Sequence, residues 1–184
     1  DRDTSTNDTL CVMASGLAGN ALIDRADTDY KKFCRALHAV TTALCKKIAA
    51  DGEGATKLIE CNVTGAKSKQ IARTVAKSVV CSNLLKAAIF GADANWGRVL
   101  CAIGYSGAAV NVKKIGVSFT SAAGEIEVCE EGMGIDFSED AAKKVLSEKE
   151  IGIQVNLHDG NYGATAWGCD LTYEYVHING DYRS

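Results

Sequence analysis

No proline occurs among the 184 residues, where average usage would give roughly nine. No C-x-x-C pair joins any of the eight cysteines, which removes zinc-ribbon and thioredoxin-like motifs from consideration. No excess of positive charge is present. Lys and Arg number 20 against 23 Asp and Glu, for a net charge of −3, so the basic footprint of a nucleic-acid binder is missing. No apolar run approaches the ~18 residues of a membrane span, and the polar opening DRDTSTNDT is unlike a signal peptide. Only three histidines occur, His38, His158 and His177. They lie far apart, so neither a metal cluster nor a Ser/His/Asp set is evident, and no metal is expected. A chain of this length does not depend on disulfide staples. The cysteines therefore read as small hydrophobes in a reduced, cytoplasmic protein.

What is present is ordinary for a folded domain. Hydrophobic residues make up 47% and charged residues 23%, and the length suits one domain over residues 1–184. Residues 9–15 (TLCVMAS) and 57–64 (KLIECNVT) read as strands. From about Asp29 to Ala50, Tyr30, Phe33, Leu37, Val40, Leu44 and Ile48 fall three and four apart, the stripe of an amphipathic helix. Ser68 is placed to cap a second helix bearing Ile71, Val75 and Val79 on one face. The run 84–90 (LLKAAIF), closed by Gly91, reads as a buried strand, with a short helix from about Arg98 to Ile103 after it. Ile115, Val117 and Phe119, then Ile126 and Val128, alternate with polar or small residues around a turn at Ser121–Gly124, as an antiparallel pair does. Ser138 opens another helix. Ile151, Ile153, Val155 and Leu157 alternate most cleanly, and 163–171 is expected to pair with them across HDGNYG. The fold class this gives is α+β, a mixed sheet with helices packed on it.

Three segments carry candidate chemistry, each with a plainer explanation beside it. In GEGATK (Gly52–Lys57), Glu53 is flanked by glycines that let the backbone approach a ligand closely; a helix stop and surface turn explain the same residues. GADANWGR (Gly91–Arg98) sits where α/β proteins place ligand loops, yet its glycine spacing does not make a phosphate loop. DTSTNDT (Asp3–Thr9) is dense in hydroxyls and carboxylates, as is a polar turn held by side chain–backbone hydrogen bonds.

Taken together, DTSTNDT at 3–9, GEGATK at 52–57, AIFGADANWGR at 88–98 with AIGYSG at 102–107, and WGCDLTYEYVHINGDYRS at 167–184 resemble the β chain of the ornithine acetyltransferase (glutamate N-acetyltransferase) family of arginine biosynthesis, and do so in family order over nearly the whole chain. The resemblance implies a fold of sheets and helices in a sandwich like that of the N-terminal-nucleophile hydrolases, of which this chain is the C-terminal portion. It implies a precursor that cuts itself before a threonine, which then serves as nucleophile under its own α-amino group. Acetyl would pass from N-acetylornithine to that threonine and on to glutamate, in a ping-pong reaction giving ornithine and N-acetylglutamate. No cofactor is implied, although acetyl-CoA serves some members as a substrate. The α chain of the same precursor would be the partner in a hetero-oligomer, supplying the oxyanion hole and a substrate-binding lysine.

Carried over motif by motif, the resemblance makes Glu53, Asn179 and Ser184 the substrate-binding residues. A carboxylate suits an ammonium group, and an amide and a hydroxyl suit a carboxylate. No catalytic residue is expected in this chain. It opens on Asp1 rather than on the family's nucleophilic threonine, which the resemblance places in a stretch of β chain ahead of this sequence, and Thr4, Thr6 and Thr9 are internal. Ala94 and Asn83 stand where relatives often have proline. A related N-terminal-nucleophile amidohydrolase and a non-catalytic folded domain remain as alternatives.

Overall fold

The computed structural model describes residues 5–182. By packing, the chain divides into two units, Asp1–Cys45 and Lys46–Ser184.

The first unit contains irregular chain and most of α1 (Thr28–Ala50). Asp27 opens the helix, its Oδ1 accepting from the Asp29 and Tyr30 amides. The apolar stripe read from the sequence lies on α1, but α1 buries none of its residues. Phe33, Val40 and Ile48 are 57%, 57% and 74% exposed. Residues 9–15 form no strand; Leu10, Val12 and Met13 stand exposed, without the neighbouring strand that would hold them extended.

The second unit is built on one six-stranded sheet of β1 (Leu58–Ala66), β2 (Gly116–Ser121), β3 (Gly124–Glu130), β4 (Met133–Gly134), β5 (Glu150–Asn156) and β6 (Tyr162–Cys169), in the order β4-β3-β2-β5-β1-β6. The β1–β5 pair is parallel and the other pairs are antiparallel, so the sheet is mixed. Alternation sorts its faces. Ile59, Cys61 and Val63 of β1, Ile151, Ile153 and Val155 of β5, and Val117 and Phe119 of β2 point into one buried cluster. Helices α2 (Lys69–Val80), α4 (Trp96–Gly104) and α5 (Glu139–Leu146) close that cluster with Val75, Val79, Val99, Ile103, Val145 and Leu146. The opposite face is polar. There Asn62 donates to Gln154 at 3.0 Å, Gln154 donates to Thr120 at 3.3 Å and Thr165 donates to Asn62 at 3.3 Å, a ladder across four strands.

The helix starts are set by short polar caps. Ser68, Ser82, Asn95 and Ser138 each accept from the amide three residues on, at the heads of α2, α3 (Asn83–Phe90), α4 and α5. The run 84–90, read as a strand, is thus the helix α3. Its buried apolar residues Leu85, Ala88 and Ile89 are spaced three and one apart, which a helix presents on one side and a strand cannot. The expected pairing of 163–171 with β5 also does not occur. The turn after β5 wraps around the end of β1, where the Leu157 amide donates to Thr64 O and the Asp159 amide to Gly65 O. That wrap delivers β6 to the far edge of β1, antiparallel to it. Cys61 and Cys129 are buried as small hydrophobes, whereas Cys11, Cys45 and Cys101 are exposed. No helix among the described residues is long and apolar enough to cross a membrane.

Candidate functional site

GEGATK forms the turn between α1 and β1, closed by the Ala55 amide donating to Gly52 O at 2.9 Å. Its two glycines are required by close approach to the chain itself. A Cβ on Gly52 would lie 2.6 Å from Cys169 Sγ at the end of β6. Gly54 has φ +66°, in the left-handed region, and a Cβ there would lie 2.7 Å from Glu174 Cβ in α6 (Tyr173–Asp181). Glu53 is therefore held up between two points of tight contact.

The stretch between β6 and α6 grips this turn. Asp170 is buried. Its Oδ1 accepts from the Thr56 amide at 2.8 Å and the Lys57 amide at 3.0 Å, and its Oδ2 accepts from the Thr56 hydroxyl. Thr172, also buried, donates through Oγ1 to Gly54 O at 2.7 Å and accepts from the Tyr175 amide, capping α6. At the other end of the helix, Asn179 Nδ2 donates to Glu53 Oε2 at 2.7 Å and to Tyr175 O at 2.9 Å. Both amide hydrogens of Asn179 are thereby committed. Among the described residues, Glu53 Oε1 and Asn179 Oδ1 accept no hydrogen bond, so the exposed pair offers two unused acceptors side by side.

Lys57 closes the motif from beneath. Its Nζ donates to Ile89 O at 2.7 Å and Phe90 O at 3.4 Å, at the end of α3, and to Leu146 O at 2.8 Å, the last residue of α5. One ammonium thus serves the negative ends of two helices. Burial pulls its pKa below the usual lysine value, and the charge of Asp170 opposes that shift. Phe90 also meets Tyr173 of α6 edge to face, ring centroids 5.6 Å apart. GEGATK, the AIF end of α3 and the CDLTYEYVHIN stretch are therefore adjacent in space.

Of the residues singled out from sequence, Glu53 and Asn179 are brought into direct contact, while Ser184 lies outside the described residues. In GADANWGR, Asn95 caps α4 and donates to Asp93, and Arg98 donates to Leu84 O at 2.6 Å, so this loop is accounted for by local structure. Residues 5–9 of DTSTNDT form a turn of their own, with Asp8 accepting from the Ser5 amide and Ser5 from the Asn7 amide. Among the described residues no three His, Cys, Asp or Glu side chains group as a metal site would need. Sequence reasoning passed over Asp170 and Thr172. Their signal was slight: an acid and a hydroxyl in the short link between a strand and a helix.

A second polar cluster occupies the open face of the sheet. Glu60 on β1 accepts from Lys46 Nζ at 2.6 Å and from the Trp167 indole at 2.6 Å. Partial burial pushes the Glu60 carboxyl up. The Lys46 and Trp167 hydrogen bonds and the Lys46 charge more than reverse this, leaving it below the usual carboxylate value.

The fold and this arrangement define an α+β protein whose shared motifs converge where β6 gives way to α6. The chain belongs to the ArgJ family, whose model matches residues 1–184. It is 54% identical over 184 residues to the arginine biosynthesis bifunctional protein ArgJ 1 of Clostridium acetobutylicum, covering all of this chain and 45% of that protein. It is likewise 54% identical to ArgJ of Caldanaerobacter subterraneus, covering 46% of it. The chain thus spans a little under half the length of the curated relatives it matches. The crystal structure of the argJ protein from Bacillus halodurans superposes with a TM-score of 0.91 at 51% identity, over 99% of this chain and 84% of that one.

Proposed function

We propose that this chain is the substrate-binding part of an acetyltransferase that moves acetyl from N-acetylornithine to glutamate. An N-terminal threonine outside this chain accepts the acetyl group and releases ornithine; glutamate then takes the acetyl group and leaves as N-acetylglutamate. The observation that carries the reading is the 2.7 Å contact between Glu53 and Asn179, residues 126 positions apart that the family resemblance had assigned together. The carboxylate with its adjacent amide oxygen suits the ammonium group of an amino-acid substrate. For Asn179 to meet a substrate carboxylate as a donor, it has to give up one of its two present acceptors. Membership of a family whose relatives are named for arginine biosynthesis supports the same reaction.

The partner is the α chain of the same precursor, in a hetero-oligomer. Two observations support a two-chain protein. The chain covers 84% of a solved family chain but only 45% of a full-length relative, so the solved chain is itself far shorter than a precursor. The apolar stripe of α1 is also exposed, a surface suited to burial against more polypeptide. The enzyme works in the cytoplasm without a bound cofactor, and acetyl-CoA, a donor for some members of the family, is the alternative donor to test.

The test is an assay of the purified full-length protein with acetyl-labelled N-acetylornithine and glutamate. Labelled N-acetylglutamate is expected. Free labelled acetate in its place would favour the amidohydrolase, and no reaction of either kind would favour a non-catalytic domain. Replacing N-acetylornithine by acetyl-CoA in the same assay decides the second donor.

A further inference from the structure

The pair at Glu53 depends on the orientation of α6, and α6 buries none of its residues. Along the helix, Tyr173 meets the Phe90 ring and Asn179 bonds Glu53. Further ties lie at its start. The link 170–172 joins it to β6, and every residue of that link is tied to another element. Asp170 holds the Thr56 and Lys57 amides, the Leu171 amide donates to Lys86 O at 3.3 Å, and Thr172 holds Gly54 O while capping the helix. A buried carboxylate and a buried hydroxyl thus grip the same six-residue motif from which Glu53 projects.

We propose that Asp170 and Thr172 are positioning residues for the Glu53–Asn179 pair. They clamp the 52–57 turn to the head of α6, so that Asn179, about two turns further on, meets Glu53. The inference rests on the amino-acid-binding reading above and deepens it. Thr172 is the sharper test of the two, because its single oxygen serves the turn as donor and the helix as acceptor. Asp170 bears on the turn alone. Neither residue touches substrate; both act through the two side chains that do.

The experiment uses the full-length protein, with acetyl-transfer kinetics and backbone hydrogen exchange measured side by side. Thr172→Val is expected to raise KM for the amino-acid substrates by about tenfold or more, with a much smaller change in kcat. Thr172→Ser, which keeps the hydroxyl, is expected to restore the wild-type KM. In a Glu53→Ala background, Thr172→Val is expected to add little further, because its effect passes through Glu53. Exchange is expected to quicken over 173–181 and 54–57 and to stay unchanged in β1 and β5. Asp170→Asn, which keeps one acceptor oxygen, is expected to lie between wild type and Asp170→Ala. An unchanged KM in Thr172→Val, or an equal further rise in the Glu53→Ala background, overturns the proposal. If wild type transfers no acetyl group, the function proposed above has failed instead. The clamp is then judged by exchange alone, and unaltered protection of 173–181 in Thr172→Val overturns it.

Discussion

Single side chains at the end of the sheet carry more than their position in a turn suggests. Lys57 neutralises the carbonyl ends of α3 and α5 at once. Replacing it by Met keeps the stem and removes three donors. Hydrogen bonds from a charged group contribute about 1.5–3 kcal/mol, so Lys57→Met is expected to lower unfolding free energy by about that much, read from urea denaturation. A loss below ~0.5 kcal/mol would show that water replaces the ammonium without cost. Glu60 carries the pH dependence. Its folded-state pKa lies below the ordinary value, so the stabilisation is present above that ordinary value and is lost as pH falls through the folded one. Melting temperature is expected to fall between pH 6 and pH 3 less steeply in Glu60→Gln than in wild type. Parallel curves would mean that the contacts with Lys46 and Trp167 contribute nothing to acid sensitivity.

Elements show where local signals sufficed and where they did not. The starts of α2 and α5 were legible because Ser68 precedes a helical stripe and Ser138 precedes two acids, Glu139 and Asp140, and both serines cap as read. Ser68→Ala is expected to cost about 1 kcal/mol, measured by thermal unfolding, with Ser68→Asp recovering most of it. The helix α3 was not legible. A seven-residue apolar run bounded by glycine satisfies a buried strand and a buried helix equally, and the cap at Ser82 settles the matter only once it is seen to bond Leu85. The strand β6 was recognised as a strand and given the wrong neighbour. A short connection favours a hairpin, but the turn at 157–160 closes over the end of β1, so β1 takes the place a hairpin would have left to β5. The glycines of GEGATK were read either as room for a ligand or as a helix stop and surface turn. They are room for Cys169 and Glu174, which is why Gly54→Ala is expected to unfold α6 locally, seen as loss of helical ellipticity with β-sheet content retained. Full helical signal in that variant would contradict the contact.

For the molecule as a whole, the order of motifs along the chain gave the family before any contact was known. It also named Glu53 and Asn179, which no spacing rule could have joined across 126 positions. The clamp beneath them was invisible for the same reason: Asp170 and Thr172 act on residues more than a hundred positions away.

The most direct measurement is the steady-state kinetics of Glu53→Ala in the full-length protein, with its fold checked by circular dichroism. Glu53 is exposed and sits in a turn, so the fold is expected to be intact. KM is expected to rise about tenfold or more for N-acetylornithine, for glutamate or for both, the loss appropriate to a charge-assisted hydrogen bond. Unchanged KM for both substrates in a well-folded variant would contradict the assignment of this site to amino-acid binding.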